Sequence, residues 1–173
     1  CSNVYLDKLD KELEQRGLCF TRYADDVLIF TKSEMAANRV MKSICSWLER
    51  KLFLKVNATK TKVVRPTRSK YLGFTFLKNG SEWKVRPTNE KKKKLKKKLS
   101  EYLKRGKAVA RPLAVTIKRV NEIVRGWINY FRIGMMKLFM EELGEWLRHK
   151  MRVILMKQWK RPKTIYRNLS YLN

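Results

Sequence analysis

The sequence predicts an α+β protein in two parts, a small antiparallel sheet with packed helices over residues 1–86 and an α-helical bundle over residues 87–173. Short β-rich runs lie before Pro87, whereas long stretches with helical spacing of apolar residues follow it. The charge is also divided unevenly. Residues 84–173 carry 26 basic and 6 acidic side chains (net +20), and residues 1–83 carry 16 and 9 (net +7).

The total charge predicts a polyanionic partner. A formal charge of +27 on 173 residues would be self-repulsive without one, and nucleic acid is the partner that this balance favours over acidic lipid. No run of about 18 apolar residues and no signal-peptide pattern occurs, so a cytoplasmic location without membrane contact is expected. Cys1, Cys19 and Cys45 lack metal-ligand spacing and are expected to be reduced thiols.

The first part begins with an amphipathic helix over residues 4–16, which Gly17 ends and on which Asp7 and Asp10 should face solvent. Residues 18–31 have the pattern of a hairpin whose second strand, residues 27–30, is expected to be buried on both faces. Ser33 should cap a helix that runs to about Lys51. Strands are predicted over residues 52–56, 61–65, 71–76 and 83–86.

The second part is predicted to be a three-helix bundle with a cationic surface. Its first helix contains seven lysines between Lys91 and Lys98, and its apolar face begins at Leu95. The second helix runs from about Leu113 to Phe131, with apolar residues at alternating steps of four and three. The third extends from about Lys137 until Pro162 ends it.

The basic side chains of this part are predicted to contact RNA phosphates. Seven like charges within eight positions would repel one another strongly unless they were neutralised, and other basic residues recur along the later helices. Trp159 lies between basic residues and is the tryptophan most suited to stacking on a base. The predicted nucleic-acid contacts are Lys91, Lys92, Lys94, Lys97, Lys98, Arg125, Asn129, Arg132, Arg148, Arg152, Lys160 and Arg161.

The motif with the most definite chemistry is Tyr23-Ala24-Asp25-Asp26, which separates the two runs of the first hairpin. Adjacent carboxylates on a tight turn can bind divalent metal for phosphoryl transfer. Aspartate is also common in ordinary turns, where its side chain bonds to the local backbone, so the motif alone leaves both interpretations open.

Six stretches together resemble the reverse transcriptases encoded by group II introns, and by this resemblance residues 1–86 would be part of a polymerase palm and residues 87–173 a thumb or maturase domain. The first three, in family order, are residues 1–7, the catalytic hairpin at residues 22–26 and the segment Asn57-Ala58-Thr59-Lys60-Thr61-Lys62. Tyr71-Leu72-Gly73-Phe74 resembles the family's primer grip. Residues 124–132 and 157–164 resemble the maturase, or X, domain that is specific to group II intron proteins.

The resemblance implies a magnesium-dependent RNA-directed DNA polymerase that also binds its intron RNA and assists splicing. It implies that Asp25 and Asp26 hold two Mg²⁺ ions, that Tyr23 lies under the primer terminus, and that Leu72, Gly73 and Phe74 contact the primer. Lys60, or failing that Lys62, would stabilise the pyrophosphate leaving group. For either lysine, a solvated charge is the alternative interpretation.

The family's palm also uses an aspartate from an earlier strand and a fingers region, both of which would precede Cys1. We therefore expect this chain to be part of a longer enzyme and to be inactive in synthesis alone. Two alternatives stay open at this stage: an RNA-binding splicing factor without polymerase activity, and a domesticated reverse transcriptase.

Overall fold

The computed structural model describes residues 2–171, which form two compact units that divide between Tyr71 and Leu72. Its seven α-helices and two antiparallel hairpins within that range confirm the α+β class. The division concerns packing, and the domain boundary predicted at Pro87 stays a prediction. Cys1, one of the predicted thiols, lies outside the described residues; Cys19 and Cys45 are free thiols.

The first unit packs two helices against a hairpin. Its elements are α1 (Ser2–Gln15), β1 (Cys19–Tyr23), β2 (Asp26–Phe30), α2 (Glu34–Leu52), a 3-10 turn (Pro66–Arg68) and β3 (Lys70–Tyr71). Leu9 and Leu13 of α1 and Ile44 and Leu52 of α2 form its buried core. Gly17 takes a φ of +63° where α1 ends, as the sequence predicts for a helix stop.

The cap at Ser33 is confirmed, since its hydroxyl accepts a hydrogen bond from the Ala36 amide at 3.2 Å. The prediction that strand β2 is buried on both faces is wrong. Val27 and Ile29 pack on the helices, but all the apolar residues of the strand stay half-buried, because a two-stranded hairpin receives helices on one face.

The strands predicted over residues 52–56 and 61–65 are also wrong. Helix α2 extends through Leu52, and Phe53 ends it in the left-handed conformation with a φ of +53°. Beyond it, the Asn57 side-chain oxygen accepts hydrogen bonds from the amides of Thr59 (3.1 Å) and Lys60 (3.2 Å). These local bonds satisfy backbone groups that a strand would need for pairing.

The second unit contains β4 (Phe74–Asn79), β5 (Glu82–Pro87), α3 (Asn89–Tyr102), α4 (Arg105–Ala108), α5 (Leu113–Phe131), α6 (Lys137–Trp159) and α7 (Pro162–Ser170). Strands β4 and β5 pair antiparallel, with Phe74 opposite Pro87 and Asn79 opposite Glu82. The three long helices enclose a core that includes Leu99, Val120, Leu143 and Ile154. The predicted bundle is therefore present.

Two helices of this unit were not predicted. Helix α4 is a single turn, too short for its periodicity to be recognised in the sequence. Helix α7 begins at Pro162, which the sequence suggested only as the end of the preceding helix. Proline lacks an amide hydrogen and is well suited to the first helical position, so the same residue separates α6 from α7 and starts the latter. None of the described helices is long and apolar enough to span a membrane.

Candidate polymerase and nucleic-acid sites

The Tyr23-Ala24-Asp25-Asp26 motif forms the tip of the β1–β2 hairpin. Tyr23 pairs with Asp26, so Ala24 and Asp25 make a two-residue connection. Ala24 has a φ of +51°, a conformation that usually favours glycine and costs an alanine about 1 kcal/mol or more. Asp25 and Asp26 are exposed, and the Tyr23 side chain is 66% exposed. Both carboxylates therefore stand at a strained, solvent-accessible turn.

Arg22 connects this turn to helix α1. Its Nε donates to Asp10 Oδ1 at 2.7 Å, and its Nη2 donates to the other oxygen of the same carboxylate. Its Nη1 donates to the Ala24 carbonyl at 3.0 Å and to Asn3 Oδ1 at 3.2 Å. The Arg22 and Asp10 side chains are only 12% and 24% exposed.

The expectation that Asp10 faces solvent is therefore wrong. The periodicity of α1 places it away from the helical core, but β1 covers that side and presents Arg22 to it. Hydrogen bonds from Arg22 lower the pKa of the Asp10 carboxyl, partial burial opposes this effect, and the positive charge of Arg22 adds to it. Asp7 pairs instead with Lys11 at 2.7 Å and is exposed, as expected.

The carboxylates of the turn have the chemistry that magnesium prefers, since Mg²⁺ binds carboxylate oxygens and keeps several of its waters. Across residues 2–171, however, His, Cys, Asp and Glu side chains nowhere gather in threes as a metal-binding group would. Asp7 and Asp10 are already paired with basic side chains, Lys11 and Arg22. Asp25 and Asp26 thus fit as part of a metal site that needs a further ligand.

Lys60 lies in the turn that Asn57 organises, and its side chain is exposed. The Thr61 amide donates to the Asn57 carbonyl at 3.0 Å, which closes the turn. Lys62 is exposed as well. The structure places both lysines on an irregular surface segment and does not distinguish between them.

The primer-grip-like sequence forms a tight turn at the start of the second unit. Leu72 and Gly73 both have positive φ, +50° and +83°. The Thr88 amide donates to the Gly73 carbonyl at 2.9 Å, and the Tyr130 hydroxyl donates to the Leu72 carbonyl at 3.0 Å. A Cβ atom at Gly73 would lie 2.9 Å from Lys91 Cε. Glycine therefore allows the backbone to pass close to its neighbours here.

The aromatic residues beside this turn come from helix α5. Phe74 meets Phe131 edge-on with ring centroids 5.0 Å apart, and Phe131 also contacts Trp127 at 4.5 Å. Trp127 and Phe131 thus lie on the packed side of α5. The same motif that resembles the maturase domain supplies Tyr130, which contacts the primer-grip-like turn.

The opposite side of α5 presents Arg125, Asn129 and Arg132, all exposed. Arg148 and Arg152 of α6 are also exposed, and they line a cleft of about 350 Å³ beside Val120 and Leu147 of the bundle. This arrangement brings basic side chains of α6 next to α5. The sequence predicted each of these residues as a contact but gave no indication of the cleft.

The lysines of α3 divide into two groups. The ammonium groups of Lys92 and Lys96 lie over the rings of Phe139 and Trp146 of α6, at 5.2 Å and 5.6 Å from the ring centroids. Such contacts attract the cation to the ring face and pack its aliphatic stem. Lys92 is half-buried, whereas Lys96 is exposed, as are the remaining lysines, Lys91, Lys93, Lys94, Lys97 and Lys98.

The last basic segment surrounds a structural contact that the sequence did not suggest. Gln158 Nε2 donates to the carbonyls of Val109 (3.2 Å) and Arg111 (2.7 Å), so it holds the loop between α4 and α5 against the end of α6. Trp159 is half-buried, whereas Lys160 and Arg161 are exposed. Trp159 therefore offers only part of its ring to a base.

Comparisons with known protein families agree with this arrangement. Residues 1–76 match the family described as reverse transcriptase (RNA-dependent DNA polymerase), which defines the class of protein to which this part of the chain belongs. Residues 92–171 match the maturase-specific domain of group II introns. The chain therefore belongs to the group II intron reverse transcriptase and maturase family. No curated protein matches it.

Proposed function

We propose that this chain supplies the metal-binding hairpin, the primer-grip turn and the RNA-gripping helices of a group II intron RNA-directed DNA polymerase. The observation that carries the proposal is the position of Asp25 and Asp26, adjacent and exposed at the tip of a two-residue hairpin. Adjacent carboxylates that are open to solvent on such a turn are suited to binding a divalent metal ion.

Asp25, the stronger candidate for direct coordination, and Asp26 would hold magnesium together with an aspartate from elsewhere in the polymerase. When bound, two Mg²⁺ ions would activate the primer 3′-hydroxyl and neutralise charge on the departing pyrophosphate. Tyr23 would support the primer terminus, and the backbone at Leu72, Gly73 and Phe74 would contact the primer strand. Lys60, with Lys62 as the alternative, would donate to the pyrophosphate.

RNA binding is assigned to the helical unit. The exposed lysines of α3 would neutralise phosphates, and the basic face of α5 would follow the backbone of the same RNA. Arg148, Arg152, Lys160 and Arg161 would extend this surface. Through this surface the protein would assist splicing of its intron RNA. It would then copy that RNA into DNA, with the nicked target DNA as the primer.

The test is primer extension on an RNA template with magnesium, using the chain alone and the chain joined to the fingers and first palm segment of the family. We expect synthesis only in the joined form. Asp25→Asn or Asp26→Asn should reduce it about a hundredfold to a thousandfold while RNA affinity is unchanged. Asp7→Asn is the matched control, because Asp7 is an exposed aspartate of the same unit that pairs with Lys11.

The alternative is an RNA-binding splicing factor without polymerase activity, which the charge of the helical unit favours. RNA binding without synthesis in the joined form would establish that alternative. A loss of both synthesis and RNA binding in the Asp25 variant would contradict the separation of the two activities.

A further inference from the structure

The Arg22 side chain donates hydrogen bonds both to helix α1 and to the turn that carries Asp25. The side chain is nearly buried, and its planar fork is fully oriented by the two oxygens of Asp10. Orienting the fork in this way places Nη1 at 3.0 Å from the Ala24 carbonyl. The carbonyl belongs to the peptide group that joins Ala24 to Asp25.

That peptide group determines where the Asp25 carboxylate points. Its plane is set by the ψ angle of Ala24 and the φ angle of Asp25, and Ala24 is in a strained left-handed conformation. Without a donor on its carbonyl, the peptide could rotate towards an unstrained turn and carry Asp25 with it.

We propose that Arg22, fixed by Asp10, is a positioning residue that holds the Ala24–Asp25 peptide in the orientation required for metal binding by Asp25. Asn3 of α1 contributes through its contact with Arg22 Nη1 at 3.2 Å. These contacts of Arg22 would connect the geometry of the metal site to helix α1. It rests on the metal-binding role assigned to Asp25 under the proposed function.

The chain offers a close control for a purely structural contribution. Arg16 also pairs with a glutamate of α1, Glu12, at 2.6 Å, and its Nη1 donates to Ser43 Oγ of α2 at 2.7 Å. It belongs to the same unit, and its hydrogen bonds go to residues of α1 and α2. Arg22→Lys and Arg16→Lys both keep the charge and remove a guanidinium fork.

The experiment is an NMR titration of the 173-residue chain with Mn²⁺, which broadens amide signals near its binding site. In the wild type, the amides of Asp25 and Asp26 should broaden first. Arg22→Lys should require about threefold to tenfold more Mn²⁺ for the same broadening, as expected for the loss of one orienting hydrogen bond. Arg16→Lys should titrate like the wild type. Thermal unfolding of each variant would confirm that both fold.

Equal Mn²⁺ titrations for the two variants would overturn the inference while leaving the metal-binding role of Asp25 intact. A wild type without broadening at Asp25 would instead show that Asp25 and Asp26 do not hold the ion without the further ligand. Positioning would then be judged from the amide shifts and hydrogen exchange of residues 24–26. Changes in Arg22→Lys but not in Arg16→Lys would support it, and unchanged signals in both would overturn it.

Discussion

Replacing Gly73 with alanine should separate the backbone requirement of the primer-grip-like turn from its contact with the primer. Gly73 has a φ of +83°, so an alanine there should cost about 1 kcal/mol in the free energy of unfolding. The new methyl would also lie 2.9 Å from Lys91 Cε, which must move. Because Lys91 is an exposed, flexible side chain, a rotamer change should add at most about 1 kcal/mol.

Gly80→Ala is the matched control. Gly80 has a φ of +61° at the tip of the β4–β5 hairpin, and a Cβ atom there would meet nothing within 4 Å. The losses of stability in the two variants should therefore agree to within about 1 kcal/mol, with a fall in Tm of about 4–8 °C for each kcal/mol in a unit of this size. Chemical and thermal unfolding would measure this.

The difference between the variants should appear in binding. We expect Gly73→Ala to bind a primer–template duplex about tenfold more weakly, as fluorescence anisotropy would detect, because the methyl and the displaced Lys91 occupy the space of the primer strand. Gly80→Ala should bind like the wild type. Equal affinities, with equal losses of stability, would refute the reasoning that the backbone at Gly73 approaches the primer.

Three further outcomes are expected. The first concerns Lys94, Lys97 and Lys98, three exposed lysines of α3. Replacing them with glutamine should make the slope of log affinity for RNA against log salt concentration shallower by about two to three, because fewer counterions are released on binding. An unchanged slope would show that these lysines are merely solvated. The pKa of Asp10 is lowered in the folded state, so its contribution to stability should be present above its ordinary pKa of 3.8 and should disappear as the pH falls further. Unfolding of the wild type and of Asp10→Asn across acidic pH would measure this contribution. A difference in unfolding free energy that stays constant with pH would contradict the ion pair. Gln158→Leu leaves the Val109 and Arg111 carbonyls without their donor and should cost about 1–3 kcal/mol in thermal unfolding, whereas no change would mean that water replaces the amide.

The parts of the fold that the sequence predicted are those set by local pattern. The cap at Ser33 and the regular apolar spacing of α5 depend on residues a few positions apart, so they could be recognised directly. The strand assigned to residues 61–65 failed for an equally local reason. One asparagine side chain at position 57 outweighed the β-branched residues that follow it.

The same distinction between local and distant contacts decides which features of the candidate site could be predicted. The paired aspartates are adjacent in the sequence, so their place on a hairpin tip could be predicted. The contact between Arg22 and Asp10 spans 12 positions, and that between Tyr130 and Leu72 spans 58, so neither follows from periodicity. The aromatic partners of Lys92 and Lys96 were hidden for the same reason, since they lie on another helix.

The division of helix α5 into two faces has an evolutionary consequence. Tyr130 and Phe131 contact the turn that we assign to the primer, whereas Arg125 and Asn129 are exposed on the face that we assign to RNA. A lineage that gave up DNA synthesis but kept splicing would be released from selection at Tyr130 while Arg125 stayed constrained. The relative frequency of substitutions at Tyr130 and Arg125 would then indicate which of the two activities a population still uses.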